Sequence, residues 1–388
     1  MSQPGTRLVG LDVARCLALL GMVAAHVLDE RRPDGTLTRT SWLVDGRASA
    51  LFAVLAGVSL VLLHRRTTRA GLAVRAILVA LLGLALGELG TGVAVILTYY
   101  GLLFLLGLPF LGLRARALFA WAAAWAIVAP VVSHLIRPHL APRSGPSPAF
   151  DQLENPGHLL AELLLTGYYP CLPWLAYLLL GMAIGHCDLR SRAVQVRLIA
   201  VGLGLAILAF VVSRALTEQT WVLRRLVPDA GRYGDVSTAD AFVNAISGGL
   251  HGTTPAGGSW AWLLVVAPHS GTPFDLLQTG ASAVAVIGAC LWLEGWLTRW
   301  TGEPSRRALA IAFGAGTMTL TLYTLHVVMR TERIWPAEEP ASFGWHLVVL
   351  LAVGAGFVAA RRRGPLEWLI GTVSRWRVLN PGGARRSP

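Results

Sequence analysis

Asp12, Arg15 and His26 stand inside an otherwise apolar run from Leu8 to Leu28, where an ionisable side chain is costly enough to read as functional by default. At about 100° per residue, their offsets place all three on one helical stripe roughly 60° wide. A rise of about 1.5 Å per residue puts Arg15 and His26 roughly 16 Å apart, about half of a hydrocarbon core near 30 Å thick. Lipid does not suit such a face. Mutual neutralisation of Asp12 and Arg15 competes with a functional role for that pair. A His, with an ordinary pKa of about 6.5, is the natural general base near neutrality. It can take the proton of a hydroxyl or amine that attacks an acyl carbonyl, while an Arg or Tyr stabilises the oxyanion.

Other polar positions repeat this pattern. Thr319, Tyr323, His326 and Arg330 share one face by their i,i+4 and i,i+3 spacing. Thr272-Pro273-Phe274-Asp275 reads as a helix start with an N-cap, a first-turn Pro and an acid; Gln278, Thr279 and Ser282 extend its polar face. Arg47 opens another apolar run, where snorkelling to headgroups competes with a substrate contact. Two Pro-containing junctions, Gly167-Tyr168-Tyr169-Pro170-Cys171-Leu172-Pro173-Trp174 and Pro268-His269-Ser270-Gly271, follow apolar stretches too short to span. Irregular backbone at membrane depth persists only when buried in protein or lining a wet cavity. The expectation is one cavity lined by Asp12, Arg15, His26, Arg47, Trp174, His269, Asp275, Tyr323 and His326, with His26 as the base.

The elements that would position these residues are helices. Of 388 residues, 54% are hydrophobic and 14% charged, against roughly 25% charged in a soluble domain. Apolar runs near spanning length begin at about residues 8, 42, 72, 93, 117, 171, 198, 276, 309 and 343. The expected fold is an all-α polytopic transmembrane bundle of about ten spans with short re-entrant or interfacial helices at 158–166 and 260–267, forming a single domain over 1–388. Every one of the 33 basic residues is Arg, and the net charge is +12. These arginines flank apolar runs, so membrane topology explains them without nucleic acid. Their loop asymmetry places both termini, including a 361–388 tail, in the cytoplasm by the positive-inside rule, and His26 toward the outer face. The segment from Arg7 reads as a retained anchor rather than a cleaved leader. Four cysteines without paired spacing indicate neither a disulfide framework nor a metal site. Nucleotide-binding loops, zinc-protease motifs and a G-x-S-x-G elbow are absent from the sequence.

The chain resembles the multi-spanning acyltransferases grouped around heparan-α-glucosaminide N-acetyltransferase, and the related acyltransferase type 3 enzymes. The resemblance rests on the Leu11 to Met22 run with Asp12 and Arg15, on Phe52 to Ser59, and on Tyr169 to Tyr177 followed by Leu180-Gly181-Met182. It is strongest over 7–187; the tail Gly364-Pro365-Leu366-Glu367-Trp368-Leu369 is similar to endings of related bacterial membrane proteins. The resemblance implies transfer from acyl-CoA, acetyl-CoA foremost, to a sugar or glycan beyond the cytoplasmic membrane. His26 holds the position where type 3 enzymes carry a His and the heparan-type enzymes commonly an Asn. No His lies between Leu28 and Leu63, where the heparan-type enzymes place theirs; His26, His269 or His326 stands in for it. The lipid bilayer and a glycan acceptor are the expected partners, with self-association left open. A small-molecule or proton-coupled transporter using the same stripes, and a non-catalytic partner of an envelope complex, remain the alternatives.

Overall fold

The computed structural model describes residues 7–231, 238–332, 334 and 342–379, and among them the regular structure is helical. In chain order the helices are α1 (Val9–Val27), α2 (Arg39–Val44), α3 (Arg47–His64), α4 (Arg69–Gly87), α5 (Leu97–Gly107), α6 (Ala115–Ile136), α7 (Pro156–Ala161) and α8 (Cys171–Gly185). They continue with α9 (Arg192–Thr217), α10 (Thr220–Ala230), α11 (Ala239–Ser247), α12 (Pro273–Thr301), α13 (Glu303–Ala312), α14 (Thr319–Met329), α15 (Phe343–Ala359) and α16 (Pro365–Leu379). Threonines start several of them: Thr38, Thr68 and Thr272 each accept a hydrogen bond from a first-turn amide, satisfying a donor the helix leaves open.

Among the described residues, six helical segments are long and apolar enough to cross a membrane, or seven if a bent pair is one span. Shorter apolar helices cover Leu97–Gly112, Thr319–Met329 and Phe343–Ala359. The chain is therefore a multi-pass membrane protein, and the exposed apolar face of α9, with Val201 and Ile207 more than half exposed, belongs to lipid. The bent pair joins Pro156–Thr166 to Cys171–Gly185 at 56°. Pro170 has no amide hydrogen and holds its predecessor out of the helical region, so the chain turns there.

The expected span from Leu309 to Met329 is not a continuous helix. It is divided among the end of α13, a 3-10 turn at Gly314–Thr317 and α14. The reason is steric. A Cβ on Gly316 would stand 1.8 Å from the Asp12 carbonyl oxygen, and one on Gly354 would stand 2.3 Å from the Ala315 amide nitrogen. The turn is thus wedged between the backbones of α1 and α15. Helices α3 and α8 meet equally closely through Gly57 and Gly181, where a Cβ would fall 2.1 Å and 1.9 Å from facing carbonyl oxygens. Small residues at such crossings are what permit tight packing within a bilayer.

The main core surrounds α1, with Leu11, Ala14, Ala18, Leu19 and Val23 buried against α3, α12 and α14. Glu294 of α12 accepts from the Val9 and Gly10 amides at 3.1 and 2.6 Å, capping α1 from outside its own chain segment. In the tail, Glu367 of α16 accepts from the Leu320 and Thr321 amides at 2.8 and 3.2 Å, capping α14 in the same way. The Trp260–Leu264 stretch, expected to be interfacial or re-entrant, is a 3-10 turn in a separate small core with Val222, Leu226, Phe242 and Trp262. Arg31 binds the Asn244 carbonyl at 2.9 Å and Arg137 binds Thr254 Oγ1 at 2.7 Å, tying this unit to the bundle.

Candidate functional site

His26 lies in the last turn of α1, half-buried. Its Nδ1 is 3.0 Å from Nε2 of His326, and the two rings stack within 8° of parallel. Nδ1 of His326 is in turn 3.1 Å from Nδ1 of His346, in α15. Helix α1 and two consecutive helices near the other end of the chain therefore contribute one imidazole each to a linear series. Its members join side by side, and among the described residues no group of His, Cys, Asp and Glu converges as a metal site. His326 and His346 are fully buried, whereas His26 keeps part of its ring open. Arg330, one turn beyond His326, is within electrostatic reach of all three rings. Its Nε is buried without a hydrogen-bond partner among the described residues. Arg330 also lines a cavity of about 710 Å³ with Glu88, Thr91, Thr331 and Glu332.

Tyr323 sits one turn before His326 and accepts a hydrogen bond from the Ile96 amide at 3.3 Å. It stands within electrostatic reach of Tyr100 and Tyr169. Tyr169 leads to the second aromatic group: its ring and that of Tyr168 meet His269 edge-on at 5.5 and 5.2 Å. Trp174 stacks on His269 within 3° of parallel at 6.2 Å. The His269 backbone has φ of +53°, a region that non-glycine residues seldom occupy. Its Nδ1 is buried without a hydrogen-bond partner among the described residues, and burial pushes the imidazole down to about 3. Tyr168 bonds His251 Nδ1 at 3.1 Å, and Arg143 covers its ring at 5.3 Å. His269 and Trp174 are thus packed together in a cluster within electrostatic reach of His26.

Asp12 and Arg15 occupy the other end of α1. Asp12 accepts from Arg7 Nε at 2.6 Å and from Arg15 Nη1 at 2.9 Å, so one buried carboxylate serves two guanidiniums. Arg15 Nη2 also donates to Ser59 Oγ at 2.9 Å. These groups line a cavity of about 650 Å³ to which Arg65, Arg66, Arg75 and Arg190 contribute. A narrower chamber of about 120 Å³ shares Arg15, Ser59, Arg75 and Thr319 with it, and continues between Phe52, Leu55 and Tyr100. The larger cavity is basic and the narrower one mostly apolar, and the wall they share extends from the arginine end of the bundle to Tyr100.

Arg47 and Asp275 correct the expectation of a single cavity. Arg47 covers the Trp42 ring at 5.2 Å, donates to the Trp42 carbonyl, and lines a separate chamber of about 160 Å³ with Asp45, Arg214 and Gln278. Gly46 packs against Pro268, placing the Pro268-His269 turn between that chamber and the histidines. Asp275 is spent on its own turn: its Oδ2 accepts from the Gly271 amide at 3.0 Å, and its amide donates to Thr272 Oγ1 at 3.1 Å. The capping reading accounts for it. His346 was not among the expected residues. The signal that singles out His26, an ionisable group inside an apolar run, applies equally to His346 within Phe343 to Ala360.

A sequence profile of the heparan-alpha-glucosaminide N-acetyltransferase catalytic domain matches residues 7–217, more than half of the chain. A comparison with curated proteins finds no match. The matched region runs from α1 through α9 and contains His26, Asp12, Arg15 and Ser59, with Arg65, Arg66 and Arg75. Helices α12 to α16, which supply His326 and His346, follow it. Acetyl transfer is the activity that this family implies, and acetyl-CoA is the donor its members generally use. An all-α, multi-pass chain whose first helices match that catalytic domain belongs to the heparan-α-glucosaminide N-acetyltransferase family.

Proposed function

We propose that the protein transfers an acetyl group from acetyl-CoA to an amine or hydroxyl of a sugar or glycan at the extracytoplasmic face, with His26 as general base. The observation that carries this reading is the His26–His326 contact of 3.0 Å. It occupies Nδ1 of His26 and leaves Nε2 of a half-buried ring as the nitrogen open to an acceptor. The arginine-lined cavity suits the CoA phosphates, and the narrower chamber beyond it suits a thin, largely apolar arm. Both termini lie on the cytoplasmic side in this reading, so the donor enters there and the acetyl group is delivered beside the histidines. The acceptor attacks the thioester carbonyl while its proton passes to His26 Nε2. Arg330, with a guanidinium nitrogen unpartnered beside the rings, supports the oxyanion. The C–S bond then breaks and the thiolate leaves with a proton.

The test uses purified protein in nanodiscs, wild type beside His26→Ala, with acetyl-CoA binding and thioester cleavage measured in the presence of glucosamine. Binding by both with cleavage lost in the variant supports the assignment. Equal cleavage by both removes His26 from the base role. A well-folded wild type that binds no acetyl-CoA overturns the donor assignment and leaves movement of an unmodified solute as the activity to measure.

A further inference from the structure

The mechanism above uses only the first of three imidazoles, yet the second and third are buried in contact with it at considerable cost in desolvation. Each N···N contact holds one hydrogen, so a neutral series has only two consistent arrangements. In one, His346 Nδ1–H donates to His326 and His326 Nε2–H donates to His26; the remaining hydrogen of His26 then sits on Nε2, which cannot act as a base. In the other, His26 Nδ1–H donates to His326 Nε2, and His326 Nδ1–H donates to His346 Nδ1. That arrangement alone leaves His26 Nε2 bare. It requires His346 to carry its own hydrogen on Nε2, so the tautomer of a ring in α15 decides whether a ring in α1 is competent.

We propose that His346 is a positioning and charge-accepting residue for the reaction, acting through His326 on His26; the inference rests on the general-base reading. As the acceptor proton bonds to His26 Nε2, the Nδ1 hydrogen of His26 moves to His326 Nε2, and the Nδ1 hydrogen of His326 moves to His346 Nδ1. No atom is gained or lost along the series. The positive charge created at His26 comes to rest on His346, which now holds hydrogen on both nitrogens. When the tetrahedral adduct collapses, the three transfers reverse and the His26 Nε2 hydrogen goes to the departing thiolate sulfur. The products are the acetylated acceptor and the free thiol, and the series returns to its starting arrangement. Such a device moves the transient cation two rings away from the acyl centre, while Arg330 stays within electrostatic reach of all three rings.

The variants are His346→Asn, whose amide oxygen accepts from His326 but cannot carry the proton onward, His346→Ala and His26→Ala, all in nanodiscs and compared by elution profile before assay. The expected result is a fall in kcat of about ten- to a hundredfold for His346→Asn with KM for acetyl-CoA unchanged, as loss of acid–base assistance gives. The dependence of wild-type kcat on D₂O fraction curves, because several hydrogens move together, and becomes linear in His346→Asn. Selective ¹⁵N-histidine spectra place the His26 hydrogen on Nδ1 in the wild type. If His26→Ala is inactive while His346→Asn retains wild-type kcat, or the wild-type D₂O dependence is linear, the relay is overturned and the base reading stands. If His26→Ala keeps full activity, the base reading itself fails. Should His346→Ala not fold, the asparagine variant still decides.

Discussion

Replacing Glu294 tests how helix α1 is held in place. This side chain is 9% exposed and accepts from the Val9 and Gly10 amides at 3.1 and 2.6 Å. Hydrogen bonds to a charged group contribute about 1.5–3 kcal/mol each, and a carboxylate at a helix N-terminus adds about 0.3–1 kcal/mol. Glu294→Gln keeps one acceptor oxygen and loses the charge, so a loss of about 2 kcal/mol is expected. Glu294→Ala loses both bonds, for about 4 kcal/mol. Arg306 is not orphaned in either case, since Glu303 pairs with it at 3.2 Å and it donates to the Arg7 carbonyl at 2.8 Å. With about 2 °C per kcal/mol as the scale for a larger chain, the apparent melting temperature in one fixed detergent should fall by about 4 °C for Gln and about 8 °C for Ala. Tryptophan fluorescence reads the transition. A Glu294→Ala protein that melts with the wild type would refute the reasoning, since neither the two amide bonds nor the Arg306 contact at 3.3 Å would then hold the helix start.

Gly316→Ala should cost more than about 3 kcal/mol, since backbone rather than a flexible side chain blocks its Cβ; Gly204→Ala, with nothing within 4 Å, should be neutral or stabilise by up to about 1 kcal/mol. Both are read as melting shifts. Arg15→Met should raise KM for acetyl-CoA about tenfold, from loss of one charge-assisted contact, with a smaller change in kcat; an unchanged KM would exclude the arginine cavity as the donor mouth. His269 supplies a pH test. Its folded pKa, lowered to about 3 by burial, lies below the unfolded value of about 6.5, so the unfolded chain binds more protons in that window. Stability is full above pH 6.5 and falls as pH drops toward 3. His269→Phe keeps the ring contacts and should flatten that part of the acid melting profile; an unaltered slope would assign the acid sensitivity to other groups.

Much of this arrangement could be read from residue order because its cause is local. Apolar runs mark most of the helices, and the Asp12–Arg15–His26 stripe lies on one continuous helix, α1. What spacing could not show is which helices meet. His326 and His346 lie 20 residues apart on different helices, so no periodicity relates them. The break in the Leu309 to Met329 run depends on Gly316 meeting the backbone of α1, a contact invisible in a window of sequence. Arg47 and Asp275 stood at suitable depths, but a stack on Trp42 and a turn at Gly271 claim them. The Gly364-Pro365-Leu366-Glu367 tail carried a resemblance without a reason; its Glu367 fastens the start of the helix that carries Tyr323 and His326.

Helix α1 is capped at one end by Glu294 and pinned nearby by Gly316, and between Arg15 and His26 it has no break. Its eleven intervening steps of about 1.5 Å therefore act as a ruler of roughly 16 Å. A donor gripped by its phosphates at the arginine end must carry its reactive carbon on a narrow arm of about that reach. Donor selection in this protein would then be a matter of length as much as of charge, set by the number of residues between two side chains on a single helix.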